Sequence, residues 1–211
     1  MDRLILSLID LLVLYSIDDV TAAERVRLFQ DYWYGEPLDE IRKDPRTYVV
    51  KGRFDRDLLA LESTFMGSKV KVVFQPNGEG SLRSLAIVQD WDRNQFNEVR
   101  AGLENEYVPV WAVTGDEIFD YIVGVGSTAE ESVKAARKFE YFGIQRSDLL
   151  IHFVERSSKA ATGNPANADD LEAKLDRSAR TVELLATDKV FVLQFETAGE
   201  PDTLGIMDVD E

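Results

Sequence analysis

The first stretch, from Leu4 to Ile17, is apolar on almost every side. Arg3, Ser7 and Asp10 form a narrow polar strip, so residues 4 to 16 predict a helix buried by several neighbours. A membrane span needs about 20 apolar residues. This run is shorter and carries Ser7 and Asp10, so no span is expected. A secretory signal is also not expected, since there is no basic start or small-residue cleavage site. Thr21 and Glu24 then have the spacing of a capping box, and Val26, Phe29 and Trp33 recur at helical intervals before Gly35 and Pro37. The pattern predicts an amino-terminal helical hairpin, rich in Phe29, Tyr32, Trp33 and Tyr34.

Beyond a charged loop the pattern mixes periods. Thr47 to Phe54 predicts a strand, and Arg56 to Met66 a short helix closed by Gly67. Lys69 to Phe74 alternates as a half-buried strand should. The turn residues Pro76-Asn77-Gly78-Glu79-Gly80 then return the chain into Ser84 to Gln89, a hairpin. Asp92, with Gln95 three positions on, opens a helix carrying Phe96, Val99 and Leu103. A strand follows at Val108 to Val113 and another at Ile118 to Val125, where Ile118, Tyr121 and Ile122 would also suit a helix. Overlapping capping boxes at Ser127 to Glu131 start a helix that Gly143 should stop. A strand from Leu149 to Val154, a helix opening at Asp169 with Leu171, Leu175, Val182 and Leu185, and a strand from Lys189 to Phe195 complete the series.

The sum is an α+β fold: a mixed, largely antiparallel sheet covered by helices, with an N-terminal helical hairpin. The expected organisation is a hairpin and loop over 1–46 and an α+β core over 47–156. A Ser/Ala/Gly/Asn-rich linker or loop follows over 157–168, then a completing helix and strand over 169–195. The tail over 196–211 holds six acids and no base.

Charge changes the picture more than composition does. Thirty-nine acids face 24 basic residues, for a formal net charge of −15. Nucleic-acid affinity comes largely from Lys and Arg at phosphates, so direct binding of DNA or RNA is disfavoured. Carboxylate repulsion is screened within roughly 3 Å at 1 M salt, so the surface suits a high-salt cytoplasm and a halophilic source is expected. No cysteine is present. That removes disulfides and thiolate sites and, with a single histidine, nearly excludes zinc. No cofactor is implied.

Three constellations carry candidate chemistry. Asp90 and Asp92, with Asp116 and Asp120, could hold Mg²⁺ or Ca²⁺ through oxygen ligands if they converge. Gly124, Gly126 and Ser127 lie between a strand and a helix start, where backbone N–H groups can bind an anion, although no complete phosphate or dinucleotide motif is present. His152, inside a strand-like run, reads as structural. Leu4, Leu8, Leu11 and Leu12, with Phe29, Tyr32, Trp33 and Tyr34, are candidate interface residues, since aromatic anchors dominate buried interfaces.

The reading that follows is a non-enzymatic structural or assembly subunit, in the cytoplasm or a virion, working through contacts with other protein subunits. A virion or tail-connector component of a halophile virus would fit. A divalent-cation enzyme using the Asp cluster is the alternative, and an acidic regulator or nucleic-acid mimic is the third.

Overall fold

The protein is described by a computed structural model covering residues 26–52, 57–124 and 128–199. Its centre is one nine-stranded sheet in the order β3-β4-β5-β6-β11-β10-β9-β7-β8, with every neighbouring pair antiparallel. The strands are β3 (Thr47–Lys51), β4 (Asp57–Phe65), β5 (Ser68–Pro76), β6 (Leu82–Asp90), β7 (Tyr107–Thr114), β8 (Glu117–Asp120), β9 (Leu149–Glu155), β10 (Arg180–Ala186) and β11 (Val190–Thr197). A small hairpin, β1 (Arg27–Phe29) with β2 (Tyr32–Trp33), precedes them. Five helices are described: α1 (Leu38–Ile41), α2 (Arg93–Leu103), α3 (Ala129–Arg146), α4 (Lys159–Thr162) and α5 (Ala168–Ala173).

The expected fold class is corrected by this architecture, which is dominated by its sheet. The second helix of the expected N-terminal hairpin does not form over residues 26–34, and the first, over residues 4–16, lies outside the described residues. Residues 26–34 fold as β1 and β2, with Phe29 opposite Tyr32 and Gln30 at φ 48° in the connecting turn. Aromatic residues favour a pleated, half-buried surface, and here Phe29 packs on Phe65 and Phe195 while Tyr32 packs on Phe74. Leu4, Leu8, Leu11 and Leu12 lie outside the described residues.

Two further helices become strands. Residues 57–65 form β4, because β3 and β5 flank them on both sides. Gly67, expected as a helix stop, is instead half of a two-residue hairpin loop: Phe65 pairs with Ser68, and Met66 (φ 48°) and Gly67 (φ 81°) are both left-handed. That is the turn that matches strand twist. Likewise α5 ends at Ala173, and Val182 and Leu185 belong to β10. Residues 157–168 include α4, with Ala160 and Ala168 buried in a cluster with Val110, Val154 and Leu171.

One face of the sheet carries the main core. Leu61, Val72, Leu85, Ile87, Leu193, Leu184, Ile151 and Phe153 pack there with Leu28 of β1, Ile41 of α1, Phe96, Val99 and Leu103 of α2, and Ala136 of α3. Helix α2 starts where the sequence places it, with Asp92 accepting from the Gln95 amide. Helix α3 starts at the Thr128–Glu131 capping box but runs through Gly143 to Arg146. Gly143 sits so close to β7 and β9 that an added Cβ would lie 2.9 Å from Leu149 and 3.3 Å from Thr114. It is there for close packing, not as a stop.

Candidate interaction surfaces

Because the sheet is continuous, single rows of side chains cross it on the face opposite the main core. One row uses all nine strands: Tyr48, Ala60, Val73, Ala86, Gln194, Glu183, His152, Trp111 and Asp120 are successive cross-strand partners. The adjacent row begins with the opposed charges Glu62 and Lys71 and then becomes wholly apolar: Val88, Val192, Leu185, Leu150, Val113 and Ile118. Ala86, Val190 and Val192, with Val88 and Leu185, form a cluster drawn only from strands β6, β10 and β11. Among the described residues, only α4 and α5 join a cluster with this side of the sheet, near Val110, Val154 and Trp111.

The first row holds a buried polar group. His152 Nδ1 lies 3.7 Å from Glu183 Oε1, and both side chains are largely covered. His152 Nδ1 and Glu183 Oε2 have no hydrogen-bond partner. Trp111 stacks on the imidazole and donates its indole N–H to Glu172 of α5. Burial pushes the nearby Glu196 carboxyl upward; a hydrogen bond from Gln194 opposes the shift and the Glu183 charge adds to it. A buried acceptor without a donor is costly, about 1–3 kcal/mol.

A second feature lies on the helical side. A cavity of about 770 Å³ runs between α2 and α3. In its wall Arg100 donates to both oxygens of Glu140, from Nε at 2.7 Å and Nη2 at 2.6 Å, and also to Glu104. The Tyr121 hydroxyl donates to Glu140 Oε1, the oxygen that also accepts from Arg100 Nη2, at 2.6 Å. Burial, then the Glu140 charge, pushes that phenol far above its ordinary range.

The sequence-predicted residues separate. Asp90 and Asp92 stand at the end of β6 and the start of α2, while Asp116 and Asp120 bracket β8. Five strand spacings, about 24 Å, lie between β6 and β8, so the four carboxylates do not converge. Asp92 is the α2 cap, and Asp120 accepts from the amides of Ile122, Val123 and Ala168. Among the described residues no group of three acids or histidines is placed to hold a metal ion. The Gly124 amide already donates to the Asp120 carbonyl; Gly126 and Ser127 lie outside the described residues. Phe29, Tyr32 and Tyr34 pack on the chain's own core, which leaves Trp33 half-buried beside Glu155 and Arg180. No helix among the described residues is long and apolar enough to cross a membrane.

Sequence reading did not single out Trp111, Glu183, Leu150, Leu185, Arg100 or Glu140 as site residues. Their grouping depends on strand register and helix packing, for which a linear pattern carries no direct signal. Neither a family model, nor a curated protein, nor a solved structure matches this chain.

Proposed function

We propose that the protein is a structural or assembly subunit that associates with a second copy through the sheet face opposite its main core. The observation that supports this is the apolar row from Val88 to Ile118, which crosses six strands with no described helix over the Ala86, Val190 and Val192 cluster. Five strand spacings from β6 to β8 by about six residues along the strands give a footprint of roughly 24 by 20 Å. That is about 480 Å², somewhat more than half of the roughly 800 Å² per partner of an ordinary stable interface.

Charge sets the conditions. Two chains of −15 repel in dilute buffer, and molar salt screens that repulsion. Light scattering in about 2 M KCl should therefore report an oligomer, and dilution into about 0.1 M KCl should dissociate it. The double substitution Leu150→Lys and Leu185→Glu should yield a monomer at both salt concentrations with the far-UV circular dichroism of the parent. A monomer of the parent chain in molar KCl would overturn the reading.

A further inference from the structure

We propose a second binding site: the groove between α2 and α3 takes an acidic peptide segment studded with apolar side chains. The site lies on the helical side of the sheet, apart from the face opposite the main core.

Its chemistry runs against that of the rest of the chain. Arg93, Arg100 and Arg137 line it, against Glu104 and Glu140, so the lining carries a net +1 in a protein of net −15. The two glutamates are already engaged, Glu140 by Arg100 and Tyr121 and Glu104 by Arg100. Among the described residues no carboxylate pairs with Arg93 or Arg137. The Arg93 guanidinium stands 5.3 Å from the centre of the Tyr141 ring. Arg137 lies one helical turn before Tyr141 on α3, on the same side of that helix. One guanidinium therefore stands by an aromatic ring that is 49% exposed, and a second starts from the same side of α3 and lines the same groove. Such groups recognise carboxylates through forked hydrogen bonds.

The shape favours a peptide over a small anion. Arg93 and Glu104 both line the groove, and eleven helical steps separate them, about 16 Å. About five extended residues span that length. Phe96, Phe119 and Ile144 supply apolar wall between the charges. An extended segment places successive side chains on opposite sides, so acids can meet the arginines while apolar residues meet the wall.

The test uses the full chain and a fluorescein-labelled synthetic decapeptide alternating Asp with Leu, followed by anisotropy. Saturable binding is expected. The pair Arg93→Glu and Arg137→Glu should weaken it about tenfold or more, with circular dichroism unchanged. The charge-matched pair Lys134→Glu and Lys138→Glu, on α3 but outside the groove lining, should change it less than about twofold. No saturable binding overturns the proposal. So does equal loss in both pairs, which would mark a net-charge effect, and so does displacement of the peptide by an equal concentration of inorganic phosphate.

Discussion

The indole of Trp111 lies flat against the imidazole of His152, with ring centroids 4.9 Å apart and planes 8° from parallel. The two residues are direct cross-strand partners on β7 and β9. The same indole donates to Glu172, so one side chain ties the sheet to α5. Trp111→Phe keeps an aromatic stack and loses only the hydrogen bond, at a cost of about 1 kcal/mol in urea unfolding. Trp111→Ala also removes the stack and should cost at least about 2 kcal/mol. Equal destabilisation by the two variants would show that the stack contributes nothing.

The buried pair of Arg100 and Glu140 joins α2 to α3. Glu140 is 6% exposed, and its partners are the Arg100 fork and the Tyr121 hydroxyl. Arg100→Met strands a buried carboxylate and should cost about 3–5 kcal/mol. Adding Glu140→Leu removes the stranded charge, and the double variant should recover most of that loss. Thermal unfolding of the parent, Arg100→Met, Glu140→Leu and the double variant forms the double-mutant cycle, and simple additivity would refute the coupling.

Gly143 inverts the usual helix rule. Alanine in place of a helical glycine normally stabilises by about 1 kcal/mol. Here the added Cβ would press on Leu149 at 2.9 Å and Thr114 at 3.3 Å. Gly143→Ala should instead destabilise by about 1–3 kcal/mol, and the extra Leu149→Ala should lessen that penalty. A stabilised Gly143→Ala protein would show that α3 has room to shift.

Alkaline pH should unfold the protein. Burial pushes the Tyr107 hydroxyl up to about 12, with smaller effects from Arg180 and Glu106, and raises Tyr121 in the same direction. The folded state then holds protons that the unfolded state releases above the ordinary value of 10.0. Stability is therefore fully present below pH 10 and falls as pH rises towards 12, by about 2–3 kcal/mol for Tyr107 alone. Tyrosinate absorbance should rise together with loss of circular dichroism, and Tyr107→Phe should flatten part of that slope. Full tyrosine titration in a folded protein would contradict the assignment.

Local punctuation was the legible part of the sequence. The β5–β6 hairpin around Asn77, the Asp92 cap and the Thr128–Glu131 box all stand where residue pattern places them. Each depends on neighbours within a few positions. The misread segments depend on distant ones. Leu58, Leu59 and Ala60 are good helix formers, yet β3 and β5 hold them extended. In β10, Leu184 faces the main core while Leu185 faces the other side, so the adjacent leucines blur the period-two alternation. The candidate surfaces were less legible still. The polar row across the sheet needs nine strands in register, and the groove needs two helices that lie far apart in sequence.

The β6–β11 ladder sits near the middle of the sheet, yet Val88 and its partner Val192 stand more than a hundred residues apart along the chain. A ribosome making this protein finishes β3 to β6 long before β11 exists. Throughout that interval the outer edge of β6 presents unsatisfied backbone donors and acceptors to any passing strand. The nascent amino-terminal half should therefore be the species most in need of a chaperone, and the arrival of residues 190–197 is the event that closes the sheet.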